Sequence, residues 1–383
     1  MPQSQLPYLP RVDALVAHPA VFDDSPEAER LFAEAMAECD AFHRPRQLYL
    51  DHLAQRFRFH PPLSPEPGDW RRLPPLFAGV MKLHRFLSIP EEEVALTLTS
   101  SGTGGQKTQL CLDRDSLARV EGMGRVVFRA LGFCDPEPAH YLMFGYDPSE
   151  ASDVGTSWSA AQKMACAPAK SVRWLIRRDP SGAFDFDPEE AARYLLERKD
   201  DAPLRLVGFP AFMHRAFLEA ARLSPGVKVH PRSFLLAGGG WKSHGGTPMT
   251  AAAFAAFAEE TVGLPAERVR DTFGMAEHGV PYGACRFGHH HVPVFGRMLV
   301  RDPLTLEILP HGQEGLLELL TPYNGAQPNQ AVLSSDLAVL GRDCPCGLPG
   351  DYLASVRRGG VHQHKGCAVA AQEILNRRGG TAR

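Results

Sequence analysis

The chain has 383 residues and a mass of 42.0 kDa, which is too long for one small domain and is typical of a multi-lobed enzyme. Its formal net charge of −3 gives no electrostatic reason to expect binding to nucleic acid or to an anionic membrane surface. Because no apolar run is long enough to span a bilayer and no signal peptide is recognisable, we expect a cytoplasmic protein without a membrane span.

The first part of the chain is mainly helical and ends in a strand. A helical pattern covers residues 26–57, and a further helix is predicted at about 78–86. The apolar, β-prone run Val94–Thr99 predicts a strand that leads into a glycine-rich loop. After this loop we expect a short strand and then a long helix that begins near Asp115.

The middle of the chain repeats a strand–turn–helix pattern. The segments "HYLMFGYDPSE" and "LRLVGFPAFMHRAFLEAARL" predict a strand into a loop and a strand followed by a helix. "RSFLLAGGGWKS" predicts a strand before an alanine-rich helix at about 248–260, and "RVRDTFGMAEHG" a further strand and loop. Strands that alternate with helices predict an α/β fold with a largely parallel sheet.

From about residue 281 the pattern changes to short strands separated by Asp-Pro and His-Gly turns, which predicts a β-rich lobe. These shifts divide the chain into four regions. We predict an N-terminal helical region (1–90), an α/β core (91–280), a β-rich lobe (281–356) and a hinge with a short C-terminal segment (357–383).

The loop after the first predicted strand, "TSSGTGGQKT" at residues 99–108, is suited to hold an anion. Glycines let the backbone approach a ligand closely, and consecutive N–H groups form a nest for phosphate oxygens. The hydroxyls add donors and Lys107 adds a positive charge. The loop is not a Walker A motif, because it lacks the Gly-Lys-Ser/Thr ending. The alternative is a flexible polar surface loop.

Four motifs in chain order resemble those of the adenylate-forming (ANL) superfamily, which comprises acyl-CoA synthetases and their relatives. The loop "TSSGTGGQKT" resembles the phosphate-binding loop, and "LAGGG" the segment that packs against adenine. "DTFGMAEHG" resembles the aromatic-Gly-x-x-Glu segment, and "SSDLAVL" the segment whose aspartate binds the ribose hydroxyls. The resemblance implies an ANL-type fold, with parallel sheets flanked by helices and a small β-rich lobe. It also implies that a carboxylate is joined to the α-phosphate of ATP with release of pyrophosphate.

The resemblance assigns roles to individual residues. Lys107 and Glu277 are implied in catalysis, Glu277 as a Mg²⁺ ligand, and Asp336 as the ribose ligand, while His278 is a further catalytic candidate. Charge stabilisation by a cation, a lysine and backbone N–H groups suits the crowded phosphorus centre of this reaction. A turn cap for Asp336 and a solvated charge for Glu277 are the alternatives. The residues implied to contact ATP or AMP are Thr99, Ser100, Ser101, Gly102, Thr103, Gly104, Gly105, Gly238, Gly239, Gly240, Thr272, Phe273, Gly274, Met275, Asp336 and Arg357.

Within this superfamily the chain resembles the phenylacetate–CoA ligase branch and, more closely, the acyl-protein synthetases. The latter are the fatty-acid-activating, LuxE-type component of bacterial luminescence systems. The resemblance rests on "SSGTGGQKTQLCLDRDSL", on "CRFGHHHVPVFGRMLVRDPLT" together with "CPCG", and on "HKGCAVAAQEIL". It covers roughly residues 95–375, and the first 90 residues match less clearly.

Cys367 is implied to be the acyl acceptor of the enzyme itself. Ordinary superfamily members carry a further C-terminal domain with a catalytic lysine, whereas here we expect only a short stub, with no lysine after Lys365. Lys365, His364 and His362 next to Cys367 and a following helix N-terminus favour the thiolate. The resemblance implies a thioester on Cys367 that is delivered to a partner such as an acyl reductase. The alternative is a small buried residue.

Cys285, Cys344 and Cys346 together with a histidine could form a Cys₃His zinc site. Of the three histidines at 289–291 we favour His291, which stands just before Val-Pro. Four protein ligands leave no open position, so such a zinc ion would be structural. Reduced cysteines in ordinary turns are the alternative.

Two other functions compete with this interpretation. The first is an acyl- or aryl-CoA ligase, or an acid–amine ligase, of the phenylacetate–CoA ligase type, in which Cys367 would be incidental. The second is a non-catalytic nucleotide- or acyl-binding scaffold, against which the intact Lys107, Glu277 and Asp336 argue. A fatty acid as substrate follows from the resemblance alone, and an aromatic or amino-acid-derived acid is an alternative.

Overall fold

The computed structural model describes residues 9–100, 108–150, 155–240 and 249–359. Several helices in these residues begin at a polar side chain that accepts a backbone N–H bond, such as Ser25, Asp113 and Thr250. The α-helices are α1 (Pro10–Val16), α2 (Pro26–His43), α3 (Leu48–Arg56), α4 (Arg114–Ala130), α5 (Gly155–Gln162), α6 (Pro188–Arg198), α7 (Pro210–Leu223) and α8 (Ala251–Val262).

The strands of the described residues form three sheets. In chain order they are β1 (Leu76–Phe77), β2 (Leu96–Thr99), β3 (Gln109–Leu112), β4 (Ala139–Tyr146), β5 (Ala169–Arg178), β6 (Phe184–Phe186), β7 (Leu204–Gly208), β8 (Phe234–Gly238), β9 (Val269–Phe273), β10 (Tyr282–Gly283), β11 (His290–His291), β12 (Arg297–Arg301), β13 (Glu314–Leu320), β14 (Ala331–Arg342) and β15 (Asp351–Arg358).

The largest sheet has seven strands in the order β10-β9-β8-β7-β4-β5-β6. Its five inner strands, from β9 to β5, are parallel, and the edge strands β10 and β6 are antiparallel to their neighbours. Every residue of β4 is buried, as expected for a parallel strand covered on both faces. The predicted α/β fold is confirmed, and the carboxyl ends of β7, β8 and β9 lie at one edge of this sheet.

The second sheet is the predicted β-rich lobe. Its strands follow the order β11-β15-β14-β13-β12 with antiparallel pairing, and β1 adds in parallel to β14. The third sheet is the antiparallel pair β2–β3, whose strands flank the glycine-rich loop. The short strand β10 pairs with β9 and therefore belongs to the parallel sheet.

Two predicted helices of the N-terminal region differ from the structure. The helical pattern of residues 26–57 is interrupted between α2 and α3 by the 3₁₀ turn Arg44–Arg46, because Pro45 lacks the backbone N–H that a continuous helix needs. The helix predicted at 78–86 is wrong, since only the 3₁₀ turn Val80–Lys82 forms there. This region shares one hydrophobic core with the β-rich lobe and one face of the parallel sheet. Our four domain boundaries stay a prediction.

Part of the predicted site lies outside the described residues. This applies to Cys367 and to most of the glycine-rich loop, namely Ser101, Gly102, Thr103, Gly104, Gly105 and Lys107. Among the helices that the structure describes, none combines the length and the apolar character that a bilayer crossing requires.

Candidate functional site

The two strands that flank the glycine-rich loop meet at its base. The Ser100 N–H donates to the Thr108 carbonyl oxygen at 2.9 Å, and the Thr108 N–H donates to the Ser100 hydroxyl at 3.0 Å. Gly155, the first residue of α5, packs beside this base, between Thr99 and Ala276. The structure therefore fixes the start and the end of the loop against the segment that follows β9.

Glu277 is the centre of this contact. The Thr108 hydroxyl donates to Glu277 Oε1 at 2.8 Å, and Asn329 Nδ2 donates to the Glu277 backbone carbonyl at 2.9 Å. All three residues are buried. The structure therefore fixes one oxygen of this carboxylate at the base of the glycine-rich loop. Thr108 is a residue that sequence reasoning did not assign to the site, although it is the last letter of the quoted loop.

Asp336 of β14 lies near Glu277 and is also buried. Burial raises the pKa of the Asp336 carboxyl, the nearby Glu277 raises it further, and the Arg358 guanidinium lowers it. Asp336 Oδ1 has no hydrogen-bond partner among the described residues. A buried carboxylate oxygen without a donor is costly, which is the arrangement expected when a ligand supplies the donor.

The structure distinguishes two neighbouring arginines on β15. Asp336 and Arg358 are direct partners in the β14–β15 register, and the Arg358 Nη1 is 3.5 Å from Asp336 Oδ1. The predicted nucleotide contact Arg357 forms an exposed ion pair with Glu314, with Nε at 2.8 Å from Oε1. Successive side chains of a strand point to opposite faces, so it is Arg358 that lies on the Asp336 side of the sheet.

The predicted adenine segment lies where β8 ends. Gly239 and Gly240 have φ angles of +78° and +72°, a region that favours glycine. A Cβ on Gly239 would lie 2.7 Å from Phe209 Cε1, so a side chain there would collide with the ring. Gly238 pairs in register with Thr272, whose hydroxyl donates to the Ala237 carbonyl oxygen at 2.8 Å.

The residues of the "DTFGMAEHG" segment separate into two groups. Phe273 and Met275 are partly buried against the main core. The ring centroids of Phe273 and Tyr282 are 6.1 Å apart. His278 is completely buried, and its Nε2 is 2.7 Å from the Tyr282 hydroxyl. Burial lowers the pKa of His278 to about 3, so the ring is neutral. The His278 side chain is thus enclosed by the protein and does not face a substrate. Its catalytic role stays a prediction that this position does not support.

A cluster of thiols and an imidazole lies on the β-rich lobe. Ligand atoms of Cys285, His291, Cys344 and Cys346 all lie within 4.8 Å of one another. The Cys285 and Cys344 sulfurs are 3.8 Å apart, and His291 Nε2 is 3.2 Å from Cys346 Sγ. Three thiols and one imidazole are a donor set that fits tetrahedral zinc.

The other two histidines of the triplet have different neighbours. His289 Nδ1 is 3.1 Å from Cys344 Sγ, and its ring stacks on Tyr352 with centroids 4.2 Å apart. His290 Nε2 is 3.4 Å from Asp271 Oδ2, on β9. The structure thus brings together the predicted set with His291, and places His289 against that set as a neighbour.

Comparison with known proteins agrees with this geometry. The family of acyl-protein synthetases, LuxE, matches residues 11–376. A long-chain-fatty-acid–luciferin-component ligase of Vibrio harveyi is 25% identical over 310 residues, which cover 80% of this chain and 79% of the relative. The protein of the same name from Aliivibrio fischeri is 24% identical over 310 residues, 79% of each chain.

Solved structures show the same fold at low sequence identity. A 2-hydroxyisobutyryl-CoA ligase in the postadenylation state, in complex with R3-HIB-AMP, superimposes with a TM-score of 0.67 at 16% identity. The match covers 96% of this chain and 77% of that chain. An open conformation of this ligase, in complex with 2-HIB-AMP and CoA, gives a TM-score of 0.63 at 17% identity and covers 91% and 78%. The fold is that of the adenylate-forming ligases, and with the family match over residues 11–376 the chain belongs to the acyl-protein synthetase (LuxE) family of ligases.

Proposed function

We propose that this protein activates a carboxylic acid, most simply a fatty acid, by joining it to AMP. A carboxylate oxygen attacks the α-phosphorus of ATP, the bond from that phosphorus to the bridging oxygen breaks, and pyrophosphate leaves with the electron pair. The observation that carries this proposal is the meeting of Thr108, Glu277 and Asp336 at the carboxyl edge of the parallel sheet. These residues come from three motifs that are far apart in the chain.

The protein residues in this proposal hold and orient the nucleotide. Asp336 accepts hydrogen bonds from the ribose hydroxyls through Oδ1, which has no hydrogen-bond donor among the described residues, and Arg358 keeps a positive charge beside that oxygen. Glu277, held by Thr108, would bind Mg²⁺, and the ion would supply positive charge for the phosphate oxygens. The fit rests on a buried carboxylate whose position is fixed by the Thr108 hydroxyl.

In the second step of the proposal, the acyl group moves to the protein. The Cys367 thiolate attacks the acyl carbon of acyl-AMP, the bond from that carbon to the phosphate oxygen breaks, and AMP leaves. The thioester is then delivered to an acceptor protein, by family analogy an acyl reductase. The support for this step is the sequence around Cys367, whose cationic neighbours favour the thiolate.

ATP–pyrophosphate exchange with a panel of carboxylic acids tests the first step. We expect exchange that depends on Mg²⁺ and on one class of acid, and we expect it to be lost in Glu277→Gln. Exchange that no acid stimulates would favour a non-catalytic scaffold.

Intact mass after incubation with ATP, Mg²⁺ and the active acid tests the second step. We expect a hydroxylamine-sensitive acyl adduct on the wild type and on Cys134→Ala, which alters a half-buried cysteine elsewhere, but not on Cys367→Ala. Pyrophosphate release without an adduct on any of these proteins would indicate an external acceptor, such as CoA or an amine.

The thiol–imidazole cluster has a separate proposed role. Zinc bound by Cys285, His291, Cys344 and Cys346 would connect the segments that follow β10 and β14 to β11. Four protein ligands make this a structural site. Metal analysis of the purified protein, beside Cys344→Ala, tests it, and about one zinc per chain is expected only for the wild type.

A further inference from the structure

A buried lysine next to the end of β8 has no role in the function proposed above. Lys163 begins the 3₁₀ turn Lys163–Cys166, which follows α5. Only 6% of the residue is exposed. Its Nζ lies 3.4 Å from the position that a Cβ on Gly238 would occupy, and the Thr272 hydroxyl lies 2.8 Å from that position. The ammonium and this hydroxyl therefore meet over Gly238.

The Lys163 ammonium has no counter-charge in contact. Among the residues that the structure describes, no carboxylate lies within 4.0 Å of Nζ and no hydrogen-bond acceptor is in reach of it. A buried charge without a partner is strongly unfavourable. Among the carboxylates of the described residues only Asp271 acts on this ammonium, and it does so from beyond ion-pair distance. An anionic ligand is therefore a suitable partner for the ammonium.

We propose that Lys163 binds the carboxylate of the acid substrate, with the Thr272 hydroxyl beside it, and so holds the nucleophilic oxygen in place for adenylation. This inference rests on the proposed function. In the proposed function the phosphates and their cation are held at Thr108 and Glu277, which contact each other at a different place. Lys163 lies instead beside the last residue of β8, where its Nζ and the Thr272 hydroxyl occupy the space that a side chain at Gly238 would need.

The electrostatics of Lys163 support this position. Burial lowers its pKa to about 8, while Asp271 on β9 and Cys166 on its own turn act to raise it. The protonated lysine is the form that attracts a carboxylate, so acid binding weakens as the pH rises through about 8. A bound carboxylate favours the protonated form of Lys163 and so raises the lysine pKa in the complex. The weakening of acid binding therefore occurs at higher pH in the complex than in the free protein.

The experiment measures pyrophosphate exchange for Lys163→Met and Lys163→Arg with dodecanoate and tetradecanoate as probes. In Lys163→Met we expect KM for the acid to rise by about 10-fold or more, the usual loss for one charge-assisted hydrogen bond. KM for ATP should change by less than about twofold, since the nucleotide has its own contacts. Lys163→Arg should recover part of the acid affinity and lose the decline near pH 8, because a guanidinium stays charged.

Lys170→Met serves as the matched control, since Lys170 is an exposed lysine paired with Asp201. It should leave both KM values unchanged. Thermal melting shows whether each variant is folded, and titration calorimetry of dodecanoate into the folded variants measures acid binding without turnover.

Three results would overturn the inference. An unchanged KM for the acid in Lys163→Met would show that Lys163 does not bind the carboxylate, and so would a rise confined to KM for ATP. Equal dodecanoate affinity of wild type and Lys163→Met in calorimetry would do the same. A wild type that exchanges pyrophosphate with none of the acids would instead contradict the proposed function, so the two failures are distinguishable.

Discussion

Two groups of reactive side chains lie in the described part of the molecule, and they differ in whether their polar atoms contact one another or remain available to a ligand. At the edge of the parallel sheet, Glu277 uses one oxygen for Thr108, and Asp336 Oδ1 has an ion pair with Arg358 but no hydrogen-bond donor among the described residues. In the thiol–imidazole cluster, four ligand atoms lie within 4.8 Å and face one another. The sheet edge is therefore open to a ligand, whereas the cluster is closed around one point.

This difference follows from the chain segments that build each place. The sheet-edge residues come from three different sheets: Thr108 from the base of the β2–β3 loop, Glu277 from the turn after β9 of the parallel sheet, and Asp336 from β14 of the β-rich lobe. The cluster residues come from the short connections that follow β10 and β14 and from β11, which pairs antiparallel with β15. We therefore expect the first place to govern activity and the second to govern stability.

The largest effect should come from Glu277→Gln. The amide oxygen can still accept from Thr108, but the charge that binds a cation is lost, so exchange activity should fall about 100-fold or more. Pyrophosphate exchange and a melting curve measure this, with the exposed Glu314→Gln as control. Near-normal activity in Glu277→Gln would remove this carboxylate from the reaction.

Removal of the cluster metal should act on stability. Cys344→Ala, or a chelator, should lower the free energy of unfolding by several kcal/mol, because a structural zinc site contributes to folding directly. Chemical denaturation measures this effect, and the half-buried Cys134→Ala is the matched control. If Cys344→Ala were as stable as the control, the cluster would be a group of free thiols, and the contrast between the two places would fail.

A smaller, binding-specific effect is expected for Asp336→Asn. Loss of hydrogen bonds from the ribose hydroxyls to a carboxylate should raise KM for ATP about 10-fold, with kcat less affected. Because burial raises the pKa of Asp336, ATP binding by the wild type should weaken as the pH falls, and this acid limb should be missing in the variant.

The control for this change is Asp302→Asn at a half-buried turn residue, whose Oδ1 accepts from the Leu304 and Thr305 N–H groups, as an amide oxygen also can. This variant should leave KM for ATP unchanged. An acid limb that persists in Asp336→Asn would assign the titration to another group.

The smallest effect tests the choice between the two arginines of β15. Arg357→Ala breaks an exposed ion pair with Glu314, which should cost about 1 kcal/mol or less and leave KM for ATP within about twofold. Arg358→Ala should raise KM for ATP more, since Arg358 faces Asp336. ATP titrations of both variants compare them directly, and the reverse order of effects would restore Arg357 as the nucleotide contact.

The sequence predicted the parts of the site that depend on local motifs. Glu277 and Asp336 stand out in the sequence because their neighbours form recognisable segments, and the Cys₃His set because thiols and imidazoles are rare ligand types; their roles stay predictions. Arg358 does not stand out, because the choice between adjacent strand residues depends on register, which the sequence alone does not fix. The burial of His278 and the hydrogen bond from Thr108 to Glu277 depend on distant packing, which no local pattern indicates.

Longer-range features were equally difficult to predict. Lys163 follows α5, for which the sequence shows no clear helical pattern. Only its position beside Gly238 in the folded structure indicates a role for it. The parallel pairing of β1 with β14 joins strands that are far apart in sequence, and no local pattern indicates such a pair. By contrast, β4, β7 and β8 were predicted correctly, since long apolar runs between turn residues are a strong local signal.

The pairing of β1 with β14 also bears on how the chain is made. Leu76 lies opposite Val332, and His43 bonds to the Asn324 carbonyl oxygen at 2.9 Å. At about 5–20 residues per second, a ribosome needs on the order of tens of seconds to reach these partners after the N-terminal region has emerged. During that interval the apolar faces of α2 and β1 lack the surface that later covers them, so the N-terminal region completes its packing only after the β-rich lobe has been synthesised.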